Sequence, residues 1–521
     1  MNGSSGHTPP VPTPPVNKWV VAVTVMFGAF MAVMDISVVN VSMPHMMGTF
    51  SEDLSSITWV ATAYSIAEII MVTMAGWFST LIGRKRLYMW SFSLFTIGSV
   101  LCGTAVSFHQ MLFYRVLQGI GGGSLIPVSQ AILRESFPQE EQGMAMAVFG
   151  MGVVLAPAIG PILGGWLTDN YGWPWVFFIN VPVSIVGILM VATFVHDPKY
   201  LRRGVRKIDW MGIVLLTIVL TTMQIVLERG QSENWFESRM IVFGTAFCAV
   251  ALIGLVYWEM KIPEPVINFR ILKNIPLSLG SAMGIIFGIA LFGTTFILPQ
   301  FTQNLLGYPA FEAGLVLAPR AVMLLLFMPV VGRLYNHVDA RILVLAGVGI
   351  TFWSYFELSQ ISLEAGFWNL VPTLLIMGVG MPCMFVTLST ISLATVPKPD
   401  MTDAASLYTL SRRVGGNIGY ALAATIVARG QQIHRSYLIG DINPWNPIYT
   451  EFSHSAEKMF SHVGLNAQAM QHAVLALTDK IVNMQATMLA YNQVSWIFGL
   501  LFLSTIPLVM LLPGRSVLGK G

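Results

Sequence analysis

Asp35 lies near the middle of an apolar run, Trp19 to Val41, that is long enough to cross a bilayer. A carboxylate at that depth costs about 2.5–3.5 kcal/mol on insertion scales, and more if it has no partner. Residues of this kind bind a proton, bind a cation or pair with a buried arginine. The alternative is a carboxylate that only ties two helices together. The sequence therefore makes Asp35 the first candidate for a proton-coupling residue.

Arg115 is another charged residue within an apolar run. Gln118 follows it one turn later on the same helical face. A guanidinium keeps its charge inside a protein, so it requires an acceptor. We expect Arg115 to tune proton binding at Asp35 or to bond a carbonyl of the cavity wall. In the alternative, it extends to water at a membrane surface.

Glu68 is roughly in the middle of the second apolar run and is the second candidate for a proton or cation site. Arg320, Arg412 and Arg413 also lie in apolar runs, and we expect acids across the bundle to pair with Arg320 and Arg412. A substrate cavity between the helices would have adaptable apolar walls, because the apolar runs are rich in methionine and aromatic residues. The predicted polar lining of the substrate cavity is Asp35, Asn40, Glu68, Gln118, Arg320 and Arg412.

Composition sets the class of the protein. Hydrophobic residues make up 55% of the 521 residues and charged residues only 10%, whereas soluble domains carry roughly 25% charge. The chain is therefore predicted to be an all-α polytopic membrane protein. It contains no phosphate-binding loop of the ATPases, no zinc-protease motif and no nucleophile elbow, and its cysteines have no metal-ligand spacing. We expect neither an enzyme nor a metal or cofactor site, and the net charge of +3 gives no reason to expect nucleic-acid binding.

Fourteen apolar segments are long enough to span a membrane. Lysines and arginines concentrate in alternate connections, notably Arg84 to Arg86, 199–207 and 261–273. This asymmetry places both termini in the cytoplasm. The predicted spans are 18–44, 56–80, 87–107, 110–133, 143–167, 174–196, 209–228, 239–260, 276–302, 311–334, 341–361, 368–396, 404–428 and 487–512.

The spacing of motifs predicts two related halves. Gly76 to Lys85 after span two matches Gly332 to Arg341 after span ten, with glycine, polar, turn-forming and basic residues at the same offsets. Internal symmetry of this kind is typical of secondary transporters. The predicted domains are a disordered cytoplasmic tail (1–17), a six-helix bundle (18–196), a linker with two inserted spans (197–275), a second six-helix bundle (276–512) containing a long outer loop (429–486), and a cytoplasmic tail (513–521).

Glycine- and proline-rich segments are candidates for the moving parts. The turn after span two needs glycines for close helix contact, and its bases can bond helix ends or lipid head groups. In span five, small residues every three or four positions let helices approach closely, while prolines bend the helix. The candidate conformational residues are Gly76, Gly83, Arg84, Gly119, Gly121, Pro157, Gly160, Pro161, Gly164 and Gly165.

These motifs resemble the Major Facilitator Superfamily, and within it the fourteen-span drug:proton antiporters of the EmrB/QacA type. The resemblance rests on Phe30 to Pro44, Arg115 to Gly123, the string ending Gly160-Pro161-Ile-Leu-Gly164-Gly165 and Asp209 to Gly212, and it covers residues 18–512. Asn443 to Pro447 is similar to the EmrB branch. One departure is Thr80, since the family usually has an acid four residues after the first glycine of the turn motif.

The resemblance implies a proton-coupled exporter of hydrophobic, often cationic, drugs in a bacterial inner membrane, with a periplasmic adaptor and an outer-membrane channel as partners. Three alternatives stay open. The same fold could export one metabolite, siderophore or peptide, or it could be a proton symporter for uptake. The chain could also be a nontransporting membrane receptor or scaffold. The amphipathic stretches 449–463 and 468–484 of the outer loop are expected to cap the outer mouth or to dock a partner.

Overall fold

The computed structural model describes residues 17–197, 208–462 and 466–514. The tail predicted at 1–17 lies outside the described residues except for Asn17, as does the basic stretch 199–207. Of the second predicted tail, 513–521, only residues 513 and 514 are described.

The described chain is helical throughout, without a strand. Fourteen long helices carry it back and forth, and several are divided by a short break. Their bounds are α1 Lys18–Phe50, α2 Trp59–Ile82, α3 Arg84–Gly103, α4 Phe108–Ser136, α5 Gln142–Tyr171, α6 Trp175–Phe194, α7 Trp210–Arg229, α8 Arg239–Lys261, α9 Ile275–Asn304, α10 Glu312–Leu334, α11 Ala340–Leu358, α12 Phe367–Ser392, α13 Met401–Gly440 and α14 Ala467–Met510.

Eleven of the described helices are long and apolar enough to cross a membrane, and α5 makes twelve if its bent halves form one span. The two others, α3 and α13, are more polar. Helix α3 begins with three bases, Arg84 to Arg86, and α13 carries Arg412 and Arg413 and continues to Gly440. The predicted fold class, a two-bundle polytopic helical protein, is confirmed.

Helices α1–α6 pack on one another, and α9–α14 do the same. The bundles meet along two seams, α2 with α13 and α5 with α10. We call the side that carries Asn17 and Gly514 the terminal face and the opposite side the hairpin face. On the terminal face, the hydroxyl oxygens of Ser79 and Thr402 lie 3.1 Å apart, and a Cβ on Gly143 would lie 2.7 Å from the carbonyl of Gly332. The bundles are therefore closed against each other at the terminal face.

The inserted helices α7 and α8 lie outside the two bundles, against the α2–α13 seam. An apolar cluster joins them to both helices of the seam; its buried members include Ile69, Trp77, Leu216 and Leu407. Nearer the hairpin face, Gln224 of α7 bonds Asn417 of α13. The inserted pair thus contacts both bundles on one side of the molecule.

The segment predicted as a long loop, 429–486, is mostly a helical hairpin. Helix α13 runs on to Gly440, and α14 begins at Ala467, with a tip helix (Pro447–Ser461) between them. Arg435 Nη2 pairs with Asp479 Oδ1 at 2.7 Å across the two arms. The two arms are continuous with the spanning parts of α13 and α14, which the hydropathy pattern alone does not show.

Candidate functional site

Asp35 is 1% exposed and lies inside the first bundle, surrounded by α2, α3, α4 and α6. Its Oδ2 accepts a hydrogen bond from Arg115 Nη1 at 2.6 Å. The same Nη1 donates to Gln118 Oε1 at 2.7 Å, and Arg115 Nε donates to the Val60 carbonyl at 2.9 Å. The guanidinium lies 4.3 Å from the ring centroid of Tyr64. Arg115 is fully buried, so it does not extend to a membrane surface.

Two amides hold the other carboxylate oxygen. Gln118 Nε2 and Asn180 Nδ2 each donate to Asp35 Oδ1 at 2.8 Å. Both amides also reach Ser99 Oγ at 3.1 Å. We call Asp35, Ser99, Arg115, Gln118 and Asn180 the Asp35 cluster. Its donors all stabilise a charged carboxylate, because a protonated acid would lose acceptor capacity toward at least one of them.

Glycines let the helices that carry the cluster come close together. A Cβ on Gly98 of α3 would lie 2.7 Å from the Cα of Gln118, and one on Gly119 of α4 would lie 2.8 Å from Ala67 Cβ of α2. On the opposite side of α4, Gly121 faces the backbone nitrogen of Phe95. Larger residues would separate these helices and withdraw Gln118 and Arg115 from Asp35.

The glycine- and proline-rich helix α5 packs closely against α1, the helix that carries Asp35. Pro161 has no N–H, so the carbonyl of Pro157 loses its helical partner, and Ser37 Oγ donates to it at 3.3 Å. Gly160 packs against Ser37, and Gly164 packs against Val38. A Cβ built on Gly165 would meet only Val41 Cγ1, at 3.9 Å, so this glycine is not needed for close packing. Helix α5 bends by 41° between Pro157 and Ile159.

Glu68 lies in the α2–α13 seam and not in the Asp35 cluster. It is fully buried and pairs with Arg413 Nη2 of α13, while its Oε1 has no hydrogen-bond partner. The Arg413 guanidinium lies 5.9 Å from the Phe292 ring of α9. This ion pair joins the two bundles inside the membrane-spanning region.

The three other predicted cavity residues are dispersed. Arg320 donates to Thr295 Oγ1 at 3.0 Å, and Arg412 lies 5.1 Å from the Phe385 ring, both on buried helix faces. Among the described residues, no acid pairs with Arg320 or Arg412, although such partners were expected. Asn40 is exposed on α1, on the hairpin side of Asp35. Within the described ranges, no three His, Cys, Asp or Glu side chains are grouped to hold a metal ion.

The turn between α2 and α3 connects the bundles at the terminal face. Gly83 has φ 91°, which only glycine adopts without strain, and it directs Arg84 inward. Arg84 pairs with Glu135 and donates through Nε to Thr402 Oγ1 at 2.8 Å and through Nη2 to the Lys398 carbonyl at 3.2 Å. The bond to Thr402 and the bond to Lys398 cross to the second bundle.

The acid that this turn motif lacks at Thr80 has a counterpart on the opposite helix. Thr80 bonds carbonyls of its own helix, at Gly76 and Trp77. Asp403 of α13 instead places its carboxylate directly over Gly76, with its Cα 2.7 Å from an ideal Cβ there. The carboxylate at this junction therefore comes from the second bundle.

Sequence reasoning missed Asn180, Ser99 and the partnership of Glu68 with Arg413. Asn180 is a lone amide in a strongly apolar span, and it begins the Asn180–Phe194 segment of α6. An amide in such a place needs a polar partner, which was a usable signal. Ser99 carried no such signal, since a serine can bond its own helix.

The comparisons with known proteins agree with this architecture. The Major Facilitator Superfamily profile matches residues 25–420. The multidrug export protein EmrB of Escherichia coli K12 is 32% identical over 94% of each chain, and the fatty acid resistance protein FarB of Neisseria gonorrhoeae is 29% identical over 94% of this chain and 95% of its own. The fold is similar to that of the proton:xylose symporter XylE bound to 6-bromo-6-deoxy-D-glucose, with a TM-score of 0.59, 13% identity and coverage of 95% and 96% of the two chains. The chain belongs to the Major Facilitator Superfamily, in the EmrB branch of its multidrug exporters.

Proposed function

We propose that this transporter is a proton-coupled antiporter that exports hydrophobic and cationic small molecules from the cytoplasm. The observation that carries the proposal is Asp35, a carboxylate held without solvent contact by a permanent cation and two amides. A structural acid needs only one partner, but this one is surrounded by groups that would have to rearrange whenever a proton arrives.

Proton arrival at Asp35 would couple chemistry to movement. The proton neutralises Asp35 and leaves the buried charge of Arg115 uncompensated, so the cluster must reorganise to supply another acceptor. Helix α4, which carries Arg115, packs on α2 and α3 through its own glycines, and α1, which carries Asp35, packs against the glycines of α5; such contacts allow small relative shifts. One elementary charge crossing 100 mV releases about 2.3 kcal/mol, equivalent to roughly a fortyfold gradient of cargo.

The proposed orientation places the terminal face in the cytoplasm, in agreement with the basic residues of its connections. The closed seams at that face then describe a transporter shut toward the cytoplasm. The hairpin would project into the periplasm of a bacterium with two membranes. Its tip carries exposed apolar side chains, Trp445 at 91% and Ile448 at 78%, which favours docking of a periplasmic adaptor that leads to an outer-membrane channel.

The cargo class is proposed from the apolar interior of the bundles and from the names of the relatives. A multidrug exporter and a fatty acid resistance protein share the fold and most of the chain length, which favours amphipathic guests. Export of one metabolite, siderophore or peptide is the second candidate. Expression in a pump-deficient host distinguishes the two candidates. Resistance to several unrelated toxicants indicates a broad range of cargo, and resistance to one indicates a specific exporter.

The experiment is drug-induced proton movement in proteoliposomes, with a pH dye inside the vesicles. The unaltered protein should exchange protons for drug, whereas Asp35→Asn should bind drug and lose the exchange. Glu233→Gln, at the outer end of the inserted pair, is a control of equal charge change. Proton exchange that stays equally steep in the Asp35→Asn protein would refute the proposal, and inward co-movement of drug and proton would favour the uptake symporter.

A further inference from the structure

Two buried acids lie close together at the terminal-face ends of the inserted helices. Asp209 caps the start of α7, and Glu259 lies in the last turn of α8. Asp209 is 6% exposed and Glu259 1% exposed. The pair lies apart from the Asp35 cluster, on helices to which the proposed transport cycle assigns no chemical role.

One oxygen of each acid is well satisfied. Asp209 Oδ1 accepts from the Gly212 backbone at 2.9 Å and from Trp258 Nε1 at 2.8 Å. Glu259 Oε2 accepts from the Ile267 backbone at 3.4 Å. These bonds fix the orientation of both carboxylates.

The other two oxygens, Asp209 Oδ2 and Glu259 Oε1, are buried and have no hydrogen-bond partner. Both point at Gly212. A Cβ built there would lie 2.6 Å from Glu259 Oε1 and closer still to Asp209 Oδ2. Both oxygens therefore lie within 2.6 Å of the same built atom. They face one point in the interior, and neither has a hydrogen-bond partner there.

No cation in the described part of the chain bonds the pair. Lys261 Nζ bonds the Tyr257 hydroxyl, and Arg270 Nη2 donates to the carbonyls of Met260 and Ile262 at 2.8 and 3.0 Å. Glu264 is exposed on the linker beyond α8. Where α2 and α13 pack against the inserted pair, the buried cluster is apolar, with Ile69, Met74, Trp77 and Leu407.

We infer that Asp209 and Glu259 hold one proton between Oδ2 and Oε1, forming a proton-binding site on the inserted helices that is separate from Asp35. The shared proton removes one of two buried like charges and gives both oxygens a partner. Hard cations such as Ca²⁺ take about six to eight oxygens, and this site offers two free ones.

The site connects protonation to the α2–α13 seam. Glu259 holds the backbone of Ile267, and the side chains of Val266 and Ile267 are buried in the cluster with α2 and α13. Loss of the proton leaves two like charges side by side and loosens this linker. In the proposed orientation the site lies near the cytoplasm, so it responds to cytoplasmic pH.

Infrared difference spectroscopy of the purified full-length protein tests the site. At neutral pH the unaltered protein should show a protonated carboxyl C=O band that Glu259→Gln removes and the exposed control Glu264→Gln retains. Asp209→Asn keeps the cap, because asparagine also accepts from a helix N-terminus. Without the neighbouring charge, the band should disappear at a pH lower by about one unit or more.

Several results would overturn the inference. If Glu259→Gln retains the full band, or if Asp209→Asn leaves the titration of the band in place, no proton is shared. Removal of the band by Na⁺, K⁺ or Mg²⁺ at constant pH would assign the site to a cation. If Glu259→Gln does not fold, the Asp209→Asn titration decides alone. All these variants leave Asp35 unchanged. A failure of this inference can therefore be distinguished from a failure of the proton exchange proposed for Asp35.

Discussion

At the scale of single residues, the proton-coupling role proposed for Asp35 depends on the hydrogen bonds around its carboxylate. Every donor around it favours the charged form, and Arg115 cannot give up its own charge. Proton binding therefore competes against the whole set of bonds. Removing any one donor should make protonation easier without removing the acid.

Asn180 is the donor best suited to that test. Asn180→Leu removes one charge-assisted hydrogen bond to Asp35, worth about 1.5–3 kcal/mol. We expect the pH profile of drug-driven proton exchange to move upward by about one unit or more. Proteoliposome assays over a pH series measure the shift.

Ser184→Ala is the matched control, because Ser184 is buried one turn further along the same helix and bonds the Asn180 carbonyl and Met31. Its profile should stay in place. A profile unchanged by Asn180→Leu in a well-folded protein would show that this amide does not act on Asp35.

At the scale of helices, glycines determine which spans can touch. Helix α4 uses successive glycines toward α2 and α3, whereas Gly349 of α11 has no atom within 4 Å of a built Cβ. Glycine is therefore a packing residue in α4, and it has no such role at Gly349. The glycine content of the two helices does not reveal this difference.

Gly121→Ala should destabilise the protein by about 1–3 kcal/mol, because the new methyl group meets the backbone of Phe95. Gly349→Ala should be neutral or stabilising by up to about 1 kcal/mol, since alanine is the better helix former. Thermal unfolding in detergent measures both. Equal stability of the two variants would contradict the close packing of α3 and α4.

At the scale of the molecule, contacts at two depths along the α2–α13 seam hold the two bundles together. Ser79, Arg84 and Thr402 link the bundles at the terminal face, and Glu68 with Arg413 links them at depth. Opening at the terminal face must break the first group and rearrange the ion pair. The inserted helices contact both bundles along one side of the molecule only. Relative movement of the bundles is therefore more restrained on that side.

A disulfide between Ser79→Cys and Thr402→Cys should form readily, because the two hydroxyl oxygens are 3.1 Å apart. Formation in a background without Cys102, Cys248 and Cys383 should stop drug transport, and a reducing agent should restore it. Either single cysteine should transport normally with and without oxidant. Full transport by the cross-linked protein would show that this seam need not open.

The sequence by itself determined the class, the number of long helices and the buried charges, because hydropathy and charge act locally along the chain. It also singled out Gly119, Gly121, Gly160 and Gly164, each of which lies close against a neighbouring helix. It predicted a loop where the hairpin stands, since polar helix arms resemble a loop in hydropathy.

Only the tertiary structure decided which charges meet. Asp35 and Arg115 are 80 residues apart, and Glu68 and Arg413 are 345 apart. Helical periodicity gives the face of each residue but not the neighbour that the face meets. That choice depends on how all the helices pack, and so the structure placed Asp35 within one bundle and Glu68 between two.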